Sequence, residues 1–167
     1  MSSSLACTIR RATLADAAAI AEIYNEAIRS TTATFDTEEK SAEERAAWLG
    51  AHDDQHPVFV AECNGQVVGW SALTKWSDRP AYAQTAETSF YVAAAHRGAG
   101  IGRQLKTHLI AIARELGMHT LIARVAEESA ASLHLNYELG FVHVGTLREV
   151  GLKFGKRLDV HILQLML

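Results

Sequence analysis

Three glycines alternate with other residues in the segment His96-Arg97-Gly98-Ala99-Gly100-Ile101-Gly102-Arg103. The segment follows a strand-like run and opens a long helical pattern. The first N–H groups of a helix are unpaired and lie at the positive end of its dipole. Glycine lets the backbone turn sharply and approach an anion closely, and Arg97 and Arg103 add positive charge. The segment therefore predicts a cradle for a pyrophosphate group.

Four interpretations of this glycine segment compete. A Walker loop requires Lys followed by Ser or Thr after its last glycine, whereas this chain has Arg103-Gln104. A Rossmann turn requires Gly-x-Gly-x-x-Gly, but the spacing here is Gly-x-Gly-x-Gly and a hairpin precedes it, although Glu127 follows the next strand. The pattern Arg-x-x-Gly-x-Gly between a central strand and a long helix is that of acyl-CoA-dependent N-acetyltransferases. A glycine-rich turn without a ligand is the fourth interpretation.

A carboxylate that could act as a base lies upstream of the glycines. Strand alternation places Thr85, Glu87, Ser89 and Tyr91 on one face. An amine must lose its proton before it attacks, and a desolvated carboxylate is a stronger base, so Glu87 is the natural base if this face lines an acceptor pocket. The alternative is a solvated or salt-bridged Glu87 with no part in the chemistry.

The elements that must position these residues follow from hydrophobic periodicity and turn signals. Helical spacing predicts helices over residues 14–28, 41–50, 101–116 and 129–139. Strand-like runs cover residues 8–12, 58–63, 66–73, 85–92, 119–126, 141–150 and 158–166. Asn64-Gly65 predicts a tight hairpin turn. A meander followed by one crossover predicts a mixed α+β sheet.

The composition is that of an ordinary globular protein. The 167 residues are 49% apolar and 21% charged, which favours one domain over residues 1–167. The net charge of −3 argues against a nucleic-acid partner. No apolar run reaches the ~18 residues of a membrane span, and residues 1–4, Met-Ser-Ser-Ser, show no signal-peptide pattern.

Cysteines and histidines do not suggest a site. Cys7 and Cys63 are too few for a disulfide framework, and we expect small strand residues in a protein of the reducing cytoplasm. Of the eight histidines, His52 and His56 are four residues apart, but no third ligand is evident nearby. We therefore expect no metal.

The chain as a whole resembles the GNAT superfamily of N-acetyltransferases. The superfamily resemblance rests on the glycine segment, on Tyr91-Val92 before it and on Leu139-Gly140-Phe141 after it. Within the superfamily, the chain is similar to the branch of phosphinothricin acetyltransferases and amino-acid N-acyltransferases. In chain order, the segments that match this branch are Tyr24-Asn25, Ser30-Thr31, Phe35, Arg79-Pro80-x-Tyr82, Thr85-Ala86-Glu87, Tyr91-Val92 and Gly151-x-Lys153-x-Gly155 with Asp159-Val160.

The resemblance implies a GNAT-like, mostly antiparallel sheet of six or seven strands with flanking helices. Its two central strands would splay apart and hold the pantetheine arm of acetyl-CoA, with no metal. The residues that the resemblance assigns to acetyl-CoA are Tyr91 and Val92 for the arm, Arg97, Gly98, Ala99, Gly100, Ile101, Gly102 and Arg103 for the pyrophosphate, and Ser129 and Ser132 beside the thioester.

The resemblance also implies an acceptor pocket. The branch places its catalytic glutamate at Glu87. Arg79 would pair with a carboxylate or phosphinate of the acceptor, and Phe35 and Tyr82 would wall the pocket.

Four positions depart from the family pattern, and one of them is Ser129, where the branch usually has Asn. Asn136 stands where the family has His or Tyr as a general acid, and an asparagine cannot donate a proton in this way. Either Tyr137 or Tyr91 substitutes, or the thiolate leaves with stabilisation by amides and solvent. Ser77 and Arg157 replace a Lys and a Trp of relatives, so the acceptor differs in detail.

These observations predict an acetyl-CoA-dependent N-acetyltransferase that acts on a small amino-acid-like amine by direct attack in a ternary complex. One alternative is an acetyltransferase for a protein N-terminus, a lysine, a polyamine or an aminoglycoside. Another is a non-catalytic acetyl-CoA-binding module. We expect a small-molecule partner and a cytoplasmic location, with no membrane, and relatives imply a homodimer by analogy.

Overall fold

The computed structural model describes residues 6–167, so the expectation about residues 1–4 lies outside it. The strands are β1 (Cys7–Arg11), β2 (Val58–Cys63), β3 (Gln66–Lys75), β4 (Thr85–Val92), β5 (Thr120–Ala126), β6 (Val142–Lys153) and β7 (Lys156–Met166). The helices are α1 (Ala17–Ser30), α2 (Ala42–Gly50), α3 (Ile101–Glu115) and α4 (Ala130–Glu138). All the helices and strands expected from the sequence are present.

The seven strands form one sheet in the order β1-β2-β3-β4-β5-β7-β6. Every neighbouring pair is antiparallel except β4 and β5, which are joined by the crossover through α3. These two strands pair only over residues 85–87 and 120–122. Beyond Glu87 and Ile122 they part, which confirms the predicted α+β fold and its splayed central strands.

Helices cover both faces of the sheet. Alternate side chains of β2 and β3, such as Val60 and Trp70, pack with Ile20 and Tyr24 of α1. Their neighbours on the other face, such as Phe59 and Leu73, pack with α3. This alternation follows from the two-residue period of a strand, and it places the parted strands between two helical layers.

Tight turns fix the register of both hairpins. Asn64 and Gly65 have positive φ angles of 52° and 78°, as the predicted turn requires. Phe154 and Gly155 make a second such turn, with φ angles of 52° and 73°. Strand β6 therefore extends to Lys153, and strand β7 begins at Lys156. They are longer than predicted because the Gly-x-Lys-x-Gly segment lies within this hairpin.

The expectation for the two cysteines was wrong. Cys7 and Cys63 are strand residues, but they form a disulfide. They lie directly opposite each other in the antiparallel pair of β1 and β2, with their Cα atoms 4.2 Å apart. The bond was missed because 56 residues separate the two positions, and only the strand register brings them together.

Candidate active site

A cavity of about 930 Å³ opens where β4 and β5 part. Because β4 has no strand partner on this side after Glu87, backbone groups of residues 88–92 border the cavity. The predicted site residues that line it are Glu87, Tyr91, Val92, Arg97, Gly98, Gly100, Ile101, Gly102, Arg103, Ser129 and Ser132. Ala99, Phe35, Arg79, Tyr82 and Tyr137 are not among the lining residues.

The glycine segment makes the turn between β4 and α3 at one end of the cavity. Gly98 and Gly100 have φ angles of 78° and 81°, a backbone conformation that other residues rarely adopt. A Cβ atom at either glycine would meet nothing within 4 Å, so the space above the turn is open. Gly102 differs, because a Cβ atom there would lie 3.0 Å from the Phe90 ring. The first two glycines therefore shape the turn, and the third allows α3 to approach β4.

The two arginines of this segment already have protein partners. The Arg97 Nε donates a hydrogen bond to the Val92 carbonyl at 3.0 Å, which ties the turn to the end of β4. Arg103 forms an ion pair with Glu138 of α4 across the cavity. Since α3 begins at Ile101, its first N–H groups, which have no partner within the helix, belong to the same segment as the two arginines. Backbone and side chains together suit an anion such as a pyrophosphate.

Glu87 lies where the two strands begin to part. Its two carboxylate oxygens accept hydrogen bonds from Nε and Nη2 of Arg124 on β5, at 2.7 and 2.8 Å. The Glu87 side chain is 19% exposed and that of Arg124 is 55% exposed. These bonds hold the pKa of Arg124 above its usual value. The Glu87 carboxylate is therefore salt-bridged and also lines the cavity, and its role as a base stays a prediction.

A lysine of the Gly-x-Lys-x-Gly segment fixes the loop that follows α1. Lys153 is buried, and its Nζ donates hydrogen bonds to the carbonyls of Thr31 and Thr34, both at 2.8 Å. Burial lowers the pKa of Lys153. A side chain at Gly151 would overlap the Phe35 ring, which packs directly on that glycine. Phe35 therefore anchors the loop, whereas residues 30–33 of the same loop line the cavity.

Tyr91 forms the wall between this loop and the core. Its hydroxyl donates to the Ala33 carbonyl at 3.3 Å, and its ring packs on Trp70 and Tyr24 with centroids 4.9 and 5.2 Å away. Burial raises the pKa of Tyr91 well above its ordinary value. A phenol in this setting holds its proton, which favours a packing role over proton donation.

The first turns of α4 place polar groups on the opposite wall. Ser129 and Ser132 line the cavity, and the Ser132 carbonyl accepts a hydrogen bond from Asn136 Nδ2 at 2.8 Å. Asn136 is buried and also lines the cavity, and its Oδ1 has no hydrogen-bond partner within residues 6–167. Tyr137 points elsewhere, with 47% of its surface exposed, as its adjacent position on a helix requires.

The loop between β3 and β4 stands outside the cavity. Arg79 and Tyr82 are exposed. Tyr82 ends the short helical turn Pro80–Tyr82, which precedes β4. The Arg79 N–H donates to the Ser77 hydroxyl at 3.3 Å. Arg157 is exposed in β7. The acceptor contacts expected from Arg79 and Tyr82 stay predictions.

Lys106 lines the cavity and was missed by the sequence analysis. It lies on α3 one turn after Gly102 and is only 1% exposed. Its Nζ donates a hydrogen bond to the Thr88 hydroxyl and lies 4.5 Å from the centre of the Phe141 ring. Burial lowers the pKa of Lys106 to about 7. The available signal was a lysine in the apolar stripe of α3, at helical spacing from Gly102, Leu109 and Ala113.

Residues 6–167 contain no group of three His, Cys, Asp or Glu side chains placed to hold a metal ion. His52 Nδ1 is instead hydrogen-bonded to the His56 carbonyl, and His56 Nδ1 is hydrogen-bonded to Asp53. None of the helices described is long and apolar enough to cross a membrane.

Known proteins share both the sequence and this architecture. The family described as Acetyltransferase (GNAT) domain matches residues 9–162. The L-amino acid N-acyltransferase MnaT of Escherichia coli is 42% identical over 161 residues, which cover 96% of this chain and 94% of MnaT. An L-methionine sulfoximine/L-methionine sulfone acetyltransferase of Salmonella typhimurium is 40% identical, with 96% and 94% covered.

A solved structure gives the same result in three dimensions. The acetyltransferase yncA of Salmonella typhimurium, determined with its cofactor acetyl-CoA, superposes with a TM-score of 0.92 at 40% identity. The alignment covers 96% of this chain and 94% of yncA. The similarity therefore extends over nearly the whole of both chains.

Proposed function

Because the chain belongs to the GNAT family of acetyltransferases, we propose that its acceptor is the amino group of a small amino-acid-like molecule. The protein is an acyl-CoA-dependent N-acetyltransferase, and acetyl-CoA is its co-substrate. Methionine sulfone, methionine sulfoximine and phosphinothricin are the proposed acceptor types. They share an α-amino acid head and a polar tetrahedral group on the side chain.

One observation carries this proposal. The cavity between β4 and β5 has a glycine turn at its mouth and the Glu87 carboxylate at the point where the strands part. The turn suits a diphosphate, the unpaired edge of β4 suits an extended chain with amide groups, and the carboxylate suits an amine. One continuous cavity connects the glycine turn, the unpaired edge of β4 and the Glu87 carboxylate.

The residues at the mouth and walls fit acetyl-CoA. We propose that the turn of residues 97–103 holds the pyrophosphate and that the backbone at Tyr91 and Val92 bonds the pantetheine arm. Ser129, Ser132 and the unpartnered Asn136 Oδ1 would face the arm from α4. When bound, acetyl-CoA supplies an acetyl group activated as a thioester.

Glu87 is the proposed general base. Its carboxylate would accept the proton of the attacking amine, directly or through one water. Arg124 holds both carboxylate oxygens and so limits the rotation of the side chain. The Arg79–Tyr82 turn leads directly into the strand that carries Glu87, which supports its proposed contact with the far end of the acceptor.

An amine panel with acetyl-CoA tests this function, with release of the free CoA thiol as the readout. We expect the three named amino acids to give kcat/KM values at least tenfold above those of spermidine, an aminoglycoside and a peptide N-terminus. A preference for a polyamine or an aminoglycoside would overturn the acceptor class. Tight acetyl-CoA binding without CoA release for any amine would instead support a non-catalytic binding module.

We further propose that the enzyme is a homodimer. The edge strand β6 exposes a row of apolar side chains, among them Val142, Val144, Val150 and Leu152, as expected of a surface that another subunit covers. Light scattering should give twice the 18.2 kDa chain mass, and Val144→Lys should shift it towards a monomer. A monomeric wild-type protein at micromolar concentration would refute the proposal.

A cytoplasmic location is also proposed, since acetyl-CoA is the co-substrate. The Cys7–Cys63 disulfide argues against this location, because such bonds are rare in reducing compartments. Alkylation of free thiols in intact cells distinguishes a reduced cytoplasmic protein from an oxidised one. Two alkylated cysteines are expected in the cytoplasm, and alkylation of neither would contradict the proposal.

A further inference from the structure

We propose that Lys106 is the general acid that gives a proton to the CoA sulfur as the acetyl group leaves it. This inference rests on the proposed acetyl transfer. It assigns the role that Asn136 cannot fill. The assignment follows from the position of Lys106, from its surroundings and from the absence of a better donor among the lining residues described.

The position of Lys106 is at the base of the parted strands. The β4–β5 pairing ends at Glu87, and the next residue on β4 is Thr88, whose hydroxyl accepts the hydrogen bond from Lys106 Nζ. Successive residues of a strand face opposite sides, so Lys106 approaches from the α3 side and Glu87 lies on the other side of β4. Both nevertheless line the same cavity, because the gap opens through the sheet.

The surroundings of Lys106 leave its charge without a carboxylate partner. It forms no ion pair within residues 6–167, and its Nζ lies 4.5 and 5.8 Å from the ring centres of Phe141 and Phe90. Glu87 is the charged group that acts on it, and that carboxylate is already bound to Arg124. A buried ammonium in this setting releases its proton readily, and the pKa of about 7 fits a donor at neutral pH.

The other proton-bearing groups of the cavity serve this purpose less well. Tyr91 is bonded to the Ala33 carbonyl and its pKa is raised, which weakens it as an acid. His134 is three-quarters exposed and paired with Glu138, and His96 lies in the turn at the cavity mouth. The amide of Asn136 is not acidic enough to transfer a proton, and Tyr137 is outside the lining. Lys106 is the group that combines burial at the strand parting with an exchangeable proton.

In the proposed step, one bond at the acetyl carbon forms while another breaks. The amine nitrogen forms a bond to the acetyl carbon, and the bond from that carbon to sulfur breaks with its electron pair on sulfur. Lys106 donates one proton to the sulfur and becomes a neutral amine. The attacking nitrogen loses one proton to Glu87 or to water, and solvent later returns a proton to Lys106. No oxidant, reductant or metal takes part in this exchange.

The kinetic test compares wild type with Lys106→Met, which has similar length and no proton. Lys40→Met is the matched control, because Lys40 does not line the cavity. At pH 6.5 we expect Lys106→Met to lower kcat at least tenfold with little change in the KM for acetyl-CoA. The ratio of wild-type to variant kcat should fall as pH rises above 7, since Lys106 then loses its proton. A ratio independent of pH, or an unchanged kcat, overturns the assignment.

A binding measurement gives a readout that needs no turnover. Calorimetry with CoA and with desulfo-CoA, which lacks the sulfur, compares both proteins at pH 6.5 to 9. Lys106→Met should weaken CoA binding severalfold and leave desulfo-CoA binding unchanged; equal effects on both ligands contradict the proposal. If no amine is acetylated by wild type, the proposed function fails, while this contrast still tests Lys106. The variant should fold, because Met replaces a buried ammonium that pairs with no carboxylate within residues 6–167.

Discussion

Replacing Glu87 by Gln tests the base assignment with little change of shape. The glutamine oxygen can still accept a hydrogen bond from Arg124, so the side chain should stay in place. The lost ion pair is worth about 0.2–1 kcal/mol at most, since Arg124 is 55% exposed and solvent screens the pair. For a protein of this size that corresponds to a fall in Tm of about 4 °C or less. The variant should therefore be folded and loaded with acetyl-CoA as wild type is.

The effect on rate should be much larger than the effect on stability. Removal of a general base typically costs about 10²–10⁴ in rate, and we expect kcat at pH 7 to fall by more than tenfold, or more than about 1.4 kcal/mol of barrier. The deficit should shrink as pH approaches the acceptor's own amine pKa, because solvent then supplies the neutral nucleophile. Acetyl-CoA affinity should not change, since the glycine turn lies at the opposite end of the cavity.

The assay is thiol release with the best amino-acid acceptor, from pH 6 to 10, together with calorimetric titration of acetyl-CoA. Glu62→Gln is the matched control. Glu62 also forms an ion pair with an arginine, Arg10, but it lies on β2 and does not line the cavity. If Glu87→Gln retains wild-type turnover at pH 7, Glu87 is not the base. A deficit that stays constant up to pH 10 would show that the carboxylate acts in some way other than proton removal.

Changes at Gly100, the Cys7–Cys63 disulfide, Lys153 and Lys106 should each have a measurable effect on binding, kinetics or stability. Gly100→Trp should weaken acetyl-CoA binding at least 100-fold by calorimetry, because the tryptophan side chain would enter the open space above the turn. The φ of 81° at position 100 adds about 1–2 kcal/mol of backbone strain for any residue other than glycine. Reduction of the Cys7–Cys63 disulfide should lower the unfolding free energy in urea by about 2–4 kcal/mol, given its 56-residue separation. Lys153→Met should raise the KM for the acceptor severalfold and leave that for acetyl-CoA unchanged, since it frees two carbonyls of the loop after α1. The pKa of Lys106 in the folded protein, about 7, lies below the ordinary lysine value of 10.5, so between these pH values the unfolded chain binds a proton that the folded protein does not. Wild type should therefore lose stability relative to Lys106→Met in urea unfolding as pH falls from about 10 to 7, by up to about 1.4 kcal/mol per pH unit, and no further below 7.

Local signals were enough to predict most of the fold. The positive φ angles of Asn64 and Gly65, the glycine turn before α3 and the apolar stripe of that helix each act over a few residues, and each is readable in the chain. The parting of β4 and β5 was available through the family resemblance alone. Nothing local in either strand states that pairing stops at Glu87.

Contacts between distant residues were not predictable in the same way. Arg124 was not linked to Glu87 because the pair spans 37 positions and depends on the register of the parallel strands. Lys153 and Gly151 were known only as part of a segment shared with the branch, and nothing in that segment shows that Lys153 holds a loop more than 110 positions away through the Thr34 carbonyl. The packing of the Phe35 ring on Gly151 was likewise not readable from the sequence, and the place of Phe35 in the acceptor wall stays a prediction.

The arrangement of Glu87 and Lys106 explains how one strand could serve both proton transfers. Glu87 and Thr88 are adjacent on β4 and face opposite sides, so a base on one side and an acid bonded to Thr88 on the other are separated by little more than the strand itself. Their settings differ. Arg124 holds both carboxylate oxygens of Glu87 in place, whereas burial away from any carboxylate partner in residues 6–167 disfavours the charged form of Lys106, which makes it ready to give a proton up. Because the strands part at this point, both groups line the one cavity that would hold the two substrates in the proposed mechanism.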